Sequence, residues 1–183
     1  MFGLIFIGIV VVLGGFILSK YNGFITLRNR YENAWAQINV ELKRRYDLIP
    51  NLVNAVKGYM THEKDIFENV AKARSSAMQS NTVAEHAETE AQLTKTLKSL
   101  FAVMENYPEL KANENVMKLQ EELTSTENRI SFSRQFYNDI VMRFNQEIQL
   151  FPGNIIAGFF NFRKQDYFQV NEAEVQEAPK VTL

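Results

Sequence analysis

The residues of this chain that could do chemistry are few, and their spacing does not complete a catalytic or metal-binding motif. His62 and Glu63 begin the zinc-protease pattern HExxH, but residue 66 is isoleucine, so the second histidine ligand is missing. The di-iron pattern Glu-x-x-His of helical bundles is also absent, because tyrosine and valine stand three residues before the two histidines. The 183 residues include no cysteine, which excludes disulfides, thiol nucleophiles and iron–sulfur ligation. We therefore expect no catalytic residue, no metal, no cofactor and no enzymatic activity.

Four charged residues interrupt or flank the apolar stripes of the predicted helices: Arg45, Glu63, Glu127 and Arg134. One interpretation is a buried polar layer inside a helical bundle, where a ligand or substrate would bind. The other is a set of ion pairs that fix the register of the helices. We favour the ion pairs, because no nucleophile or metal-ligand set accompanies these residues.

A second group of residues could contact a membrane. Aromatic and aliphatic side chains cluster after residue 150 and are followed at once by Arg163 and Lys164; the cluster comprises Ile155, Ile156, Phe159, Phe160 and Phe162. Apolar residues beside basic ones suit a segment that lies at the lipid surface. The same phenylalanines could instead close the end of a bundle core. The sequence supports both interpretations equally.

The elements that must position these residues begin with an N-terminal membrane anchor. From Phe2 to Leu18 no side chain is charged or polar, and as a helix this run spans about 25 Å, close to the thickness of a hydrocarbon core. No basic residue precedes the run and no small-x-small site follows it, which disfavours a cleaved signal peptide. We therefore expect a single retained transmembrane helix within residues 1–20, in contact with the lipid bilayer.

Flanking charge predicts the orientation of that anchor. Lys20, Arg28 and Arg30 follow the apolar run, whereas no lysine or arginine precedes it. The positive-inside rule therefore favours a cytoplasmic location for the large domain, with an extracytoplasmic location as the alternative. The formal net charge of the whole chain is -1, without the surplus of positive charge that nucleic-acid binding requires. We expect no nucleic-acid partner.

After the anchor, apolar residues recur every seven positions, as in coiled coils, and no segment alternates with period two. The fold class is therefore all-α. Thr82 and Glu85 form a capping-box pattern at the start of one helix. Because proline disrupts a helix interior, we predict a reversal at Asp47–Pro50 and helices near 21–46, 48–76, 83–107 and 112–150, packed as an up-and-down four-helix bundle. The alternative is a long first helix, kinked at Pro50, in a three-helix arrangement.

The predicted organisation has four parts: the anchor at 1–20, the bundle at 21–150, a short amphipathic helix at 151–168 and a disordered tail at 169–183. The tail contains Pro179 and shows no periodicity, which is typical of disorder.

Several segments closely resemble proteins of the LemA family. They are Ala34–Ile38 (AWAQI), Leu42–Val53 (LKRRYDLIPNLV), Glu105–Asn113 (ENYPELKAN) and Thr126–Ile130 (TENRI). The resemblance implies a bacterial membrane protein with one N-terminal helix and a helical-bundle domain. It supplies no catalytic residue, because the family has no established activity. Family members are often encoded near membrane metalloproteases, which suggests a membrane protease as one class of partner.

These observations favour a membrane-anchored helical scaffold or adaptor that presents a bundle surface to another membrane protein. A ligand-binding sensor or enzyme that uses the polar layer is the first alternative. A self-assembling, membrane-organising protein is the second, because amphipathic helices with imperfect stripes can associate between chains and form homo-oligomers.

Overall fold

The computed structural model describes residues 2–169, and every regular element within them is a helix. The helices are α1 (Phe2–Lys57), α2 (Lys64–Gln79), α3 (Val83–Met104), α4 (Pro108–Lys111), α5 (Glu114–Glu147) and α6 (Gly153–Phe159). The predicted all-α class is confirmed. The tail expected at 169–183 lies outside the described residues except for Gln169.

The reversal predicted at Asp47–Pro50 is wrong. Helix α1 continues through Pro50 to Lys57, as in the alternative with a long first helix, and the chain turns between Gly58 and Glu63. Proline has no N–H, so Pro50 cannot donate to the carbonyl oxygen of Tyr46 one turn earlier. That oxygen instead accepts a hydrogen bond of 2.8 Å from Nε of Arg74 on α2. A side chain from another helix thus supplies the donor that the proline lacks.

The described chain forms two compact units. Unit 1 consists of residues 2–42 and 128–167, and unit 2 of residues 43–127 and 168–169. Of the described helices, α1 alone is long and apolar enough to cross a membrane by length and composition, and the apolar window at its N-terminus is not buried by the rest of the chain. The predicted N-terminal span is thus confirmed as a candidate transmembrane helix.

Unit 1 pairs the first part of α1 with the last part of α5 in antiparallel directions. Three contacts show this: Lys20 with Glu147 (2.8 Å), Trp35 with Tyr137 (ring centroids 5.6 Å apart) and Arg129 with Glu41 (3.9 Å). Each step forward along α1 is therefore a step back along α5. Helix α6 packs onto this pair through a core of Phe24, Phe144, Ile148, Ile156 and Ala157.

Unit 2 contains the end of α1, helices α2, α3 and α4, and the start of α5. Its core is built from the predicted apolar stripes and includes Leu52, Val56, Val70, Leu97 and Leu123, all almost fully buried. The capping box predicted at the start of α3 is confirmed: the Thr82 side chain accepts from the Glu85 backbone, and Glu85 accepts from the Thr82 backbone. This cap stabilises the first turn of α3, because it satisfies backbone N–H groups that have no partner within the helix.

Candidate functional site

The first candidate site is a cluster of charges inside unit 2, centred on Arg45 of α1. The Arg45 side chain is 3% exposed, and its Nη1 lies 2.9 Å from a carboxylate oxygen of Glu90 and 2.9 Å from one of Glu127. Its Nη2 donates to Oγ1 of Thr94 at 2.8 Å. Glu90 and Thr94 stand one turn apart on α3, and Glu127 lies on α5, so one guanidinium joins three helices.

A buried tyrosine extends the cluster. The hydroxyl of Tyr46 donates to the second carboxylate oxygen of Glu90 and also lies 3.3 Å from the backbone oxygen of Ala77. Burial, together with the hydrogen bond to Glu90, raises the pKa of Tyr46 well above its ordinary value. The phenol therefore remains a neutral hydrogen-bond donor across the physiological pH range.

The charges of the cluster suit a structural role better than a catalytic one. One guanidinium faces two carboxylates, and Glu90 is 1% exposed whereas Glu127 is 34% exposed. Both terminal nitrogens of Arg45 are already bonded within the chain, so a ligand would have to displace protein groups. In residues 2–169 there is also no group of three histidine, cysteine, aspartate or glutamate side chains that could hold a metal ion. The arrangement can fix the register of three helices.

Of the four residues predicted for the polar layer, the structure brings together Arg45 and Glu127. Glu63 lies instead at the N-cap of α2, where the hydroxyl of Tyr107 donates to it at 3.3 Å. Arg134 belongs to unit 1, whereas the cluster belongs to unit 2.

Sequence reasoning missed Glu90 and Thr94. Glu90 did carry a signal, because it stands three residues before Leu93 and seven before Leu97 on the apolar stripe of α3, where a charge requires a partner.

The second candidate site is the apolar end of unit 1, where the structure divides the five predicted membrane-contact residues. Ile156 is buried in the core and Phe162 packs against it. Ile155 and Phe159 are exposed, Phe159 by 83%. Phe160 is partly exposed, with its ring centroid 4.7 Å from that of Tyr21 on α1. One face of the segment therefore packs into the core of unit 1. Its other apolar face is not covered by the described chain.

This end of unit 1 also contains a groove of about 500 Å³ between α1 and α5. Its charged lining consists of Lys20, Arg30 and Arg143 with one carboxylate, Glu147, which pairs with Lys20. Phe24, Leu27 and Leu150 line its apolar part. The groove therefore combines surplus positive charge with apolar surface.

The turn into α6 requires a glycine. A Cβ atom on residue 153 would approach the backbone oxygen of Glu147 more closely than van der Waals contact permits, and it would also meet the Phe24 ring. Gly153 therefore lets the backbone of α6 lie directly against the end of α5.

A third feature is a pair of exposed aromatic residues on α5 within unit 1. Phe132 is 73% exposed and Phe136 is 47% exposed. They stand one helical turn apart and so share a face. A single exposed apolar side chain is ordinary on a protein surface, but two aromatic rings one turn apart form a patch of the kind that partner proteins bind.

Comparison with known proteins gives one family and several relatives. The model of the LemA family matches residues 34–183. Magnetosome protein MamQ 2 of Paramagnetospirillum magneticum is 24% identical over 199 aligned residues, covering 94% of this chain and 72% of the relative. Magnetosome protein MamQ of Magnetospirillum gryphiswaldense is 23% identical, with 91% of this chain and 70% of the relative covered. Protein LemA of Metamycoplasma hominis is 24% identical over 158 residues, with 86% of this chain and 72% of the relative covered.

Proposed function

Since the chain belongs to the LemA family, we propose that it is a membrane-anchored helical adaptor, which presents an exposed face of its helical domain to another membrane protein without catalysis of its own. Family membership and the apolar start of α1 make it a membrane-associated helical protein. The adaptor role rests on one further observation, the exposed pair Phe132 and Phe136.

Aromatic side chains supply much of the binding energy of protein interfaces, and helices present them as anchors one turn apart. The contact between Lys20 and Glu147 brings the end of α5 beside the end of the apolar run of α1. Phe132 and Phe136 stand 11 to 15 residues before Glu147, which is roughly 16–23 Å along α5. This supports a partner that itself projects from the membrane by about that distance. A membrane protease is one candidate, on the family resemblance alone.

We place the helical domain on the cytoplasmic side of the membrane. The reason is the position of Lys20, Arg28 and Arg30 directly after the apolar run, because basic residues near the end of a span favour the cytoplasmic side.

Affinity purification of the tagged full chain from a detergent extract tests the adaptor proposal. We expect one membrane protein to co-purify in a constant ratio, and to be lost from the double variant Phe132→Ser, Phe136→Ser. Met78→Ser is the matched control, because it removes an exposed apolar side chain from α2 in unit 2. Circular dichroism must show unchanged helix content in each variant. Equal recovery of the partner by the double variant would contradict the proposed surface.

The second candidate function is self-assembly into a membrane-organising protein. Two relatives are named as magnetosome proteins, and Phe132 and Phe136 could pair with the same residues of a second copy. Light scattering of the detergent-solubilised chain separates the two functions. A particle of several copies that the double variant dissociates favours self-assembly, whereas a monomer that captures a different protein favours the adaptor.

The ligand-binding or enzymatic alternative has weaker support. It would require the Arg45 cluster to open, since Glu90, Thr94 and Glu127 already occupy the guanidinium.

A further inference from the structure

The apolar end of unit 1 continues directly from the candidate membrane span. Leu18 ends the apolar run, and Tyr21 and Phe24 follow it in the same helix. The rings of Phe160 and Phe162 pack on these two residues, with centroids 4.7 Å apart for Tyr21–Phe160 and 5.2 Å apart for Phe24–Phe162. The segment 150–162 is therefore held at the level where a helix spanning through residue 18 would leave the hydrocarbon.

The outer face of this segment is apolar and uncovered by the described chain. Its exposed apolar side chains are Leu150, Phe151, Ile155, Phe159 and Phe160, and Asn154 is an exposed polar side chain among them. Several exposed apolar residues in one short segment exceed what a water-facing surface ordinarily carries. At the end of a membrane span they suit the boundary between headgroups and acyl chains.

The groove between α1 and α5 adds charge at the same end, and Leu150 belongs to both features. Three cationic side chains and one carboxylate line the groove, which leaves a surplus of two positive charges. Arg30 and Arg143 have no acidic partner in the part of the chain that the structure describes. Gly23 also lines the groove, and the space beside it is open, because a Cβ there would meet no atom within 4 Å.

We propose that this end of unit 1 binds the surface of a bilayer that contains anionic phospholipid. The exposed face of segment 150–159 enters the interface, and the groove receives the phosphate of one lipid headgroup between Arg30 and Arg143. The acyl chains of that lipid extend past Leu150 towards the apolar run of α1. This lipid site rests on the anchoring of α1 in a membrane, which the adaptor proposal shares, but not on the Phe132–Phe136 surface.

Depth measurements on the full chain test the interfacial segment. The chain contains no cysteine, so Phe159→Cys provides a single site for an environment-sensitive dye. In vesicles of phosphatidylcholine with a third of phosphatidylglycerol, lipid-borne quenchers should quench the dye on Phe159→Cys. Val40→Cys is the control, because it is exposed on α1 about 33 Å along the helix axis beyond Leu18 and should remain unquenched.

Binding measurements test the headgroup groove. Fluorescent phosphatidylglycerol is titrated into the full chain in detergent, with fluorescent phosphatidylcholine as the neutral comparison. Each of Arg30→Gln and Arg143→Gln should weaken phosphatidylglycerol binding about fivefold, the typical contribution of one basic residue near an anionic surface. Gly23→Gln should weaken it by filling the groove. Lys118→Gln and Gly58→Gln, which alter an exposed lysine and an open glycine in unit 2, should leave it unchanged.

Equal quenching at Phe159→Cys and Val40→Cys would overturn the interfacial segment. Phosphatidylglycerol binding that Arg30→Gln, Arg143→Gln and Gly23→Gln all leave intact would overturn the groove. Flotation of the unmodified chain with vesicles reports the anchoring of α1 separately, and a chain that fails to float overturns the premise of both proposals. A chain that floats but fails the quenching and binding tests leaves the adaptor proposal standing.

Discussion

At the residue scale, Arg45 is a buried charge that depends on its partners. A buried guanidinium loses its hydration, and only close carboxylates and hydrogen bonds can offset that loss. Glu90, Glu127 and Thr94 provide them. The two carboxylates offset the lost hydration of Arg45 unequally, because Glu90 is almost fully buried whereas the Glu127 side chain is 34% exposed.

This inequality predicts different effects for the two carboxylates. Glu90→Ala should lower the free energy of unfolding by about 3–5 kcal/mol, because it leaves Arg45 and Tyr46 without their buried partner. Glu127→Ala should lower it less, by about 1–3 kcal/mol, because the Glu127 side chain is 34% exposed and Arg45 keeps Glu90 and Thr94 as partners. Urea denaturation followed by circular dichroism measures both. Glu122→Ala, from an exposed pair with Arg44 at 3.7 Å, is the control and should have almost no effect. Equal losses from Glu90→Ala and Glu127→Ala would contradict this account.

His86 on α3 predicts a pH dependence of stability. Burial lowers its pKa below the ordinary value, and the nearby Glu85 opposes this only in part. Between the folded pKa and about 6.5, the unfolded chain therefore binds more protons than the folded one. The contribution of neutral His86 to the free energy of unfolding is fully present above about pH 6.5. It is lost as the pH falls through that value towards the folded pKa.

The measurement is the free energy of unfolding at about pH 8 and about pH 5.5. It should fall more on acidification for the unmodified chain than for His86→Gln, which cannot titrate. An identical fall in both proteins would show that His86 does not contribute to the pH dependence.

At the element scale, α1 shows how a tertiary contact can override a local signal. Pro50 removes one helical hydrogen bond and disfavours the turn before it, at a cost of about 3 kcal/mol in an isolated helix. The Arg74 side chain donates to the carbonyl of Tyr46, the acceptor that Pro50 leaves without its helical N–H. Ile49 and Leu52, on either side of the proline, are almost completely buried and hold the helix in place.

We predict a coupling between Pro50 and Arg74. Arg74→Met should destabilise the chain by about 1–3 kcal/mol, because it removes the donor to a partly buried carbonyl. In a Pro50→Ala background the backbone N–H of residue 50 becomes available to the carbonyl of Tyr46. Arg74→Met should therefore destabilise that variant clearly less. A double-mutant cycle on thermal unfolding measures this difference. Additive effects of the two substitutions would mean that the Arg74 hydrogen bond does not compensate for the proline.

At the scale of the whole molecule, one helix serves two purposes. The first part of α1 is the candidate membrane span, and the same helix continues into unit 1 and unit 2 without interruption. In unit 1, α5 returns antiparallel to it and brings Glu147 back to Lys20. The orientation of the candidate span therefore determines on which side of a membrane the helical domain would lie.

Cysteine labelling tests the predicted orientation. With an impermeant maleimide added to intact spheroplasts, Val40→Cys should not react, because the basic residues after Leu18 keep the domain inside. Permeabilised cells are the control, in which Val40→Cys should react. Labelling of Val40→Cys in intact spheroplasts would place the domain outside the cytoplasm.

The sequence alone determined the all-α class, the apolar span, the capping box and the family. Each depends on local composition or on a repeat along one helix, as with the run from Phe2 to Leu18 or the pair Thr82 and Glu85. These features can be predicted because their physical cause lies within a few neighbouring residues. Arg45 and Glu127, which the structure brings together, are both charges on or beside the apolar stripes of the sequence.

The tertiary structure alone decided the course of α1 at Pro50, the pairing of Arg45 with Glu90 and the division of residues 155–162 between core and surface. Arg74 is 28 residues from Tyr46, and Glu90 is 45 residues from Arg45. Ile156 is buried and Ile155 exposed because α6 packs on Phe24 and Phe144 from two distant parts of the chain. Periodicity shows which side of a helix is apolar, but the partner that covers it depends on contacts between residues far apart in sequence.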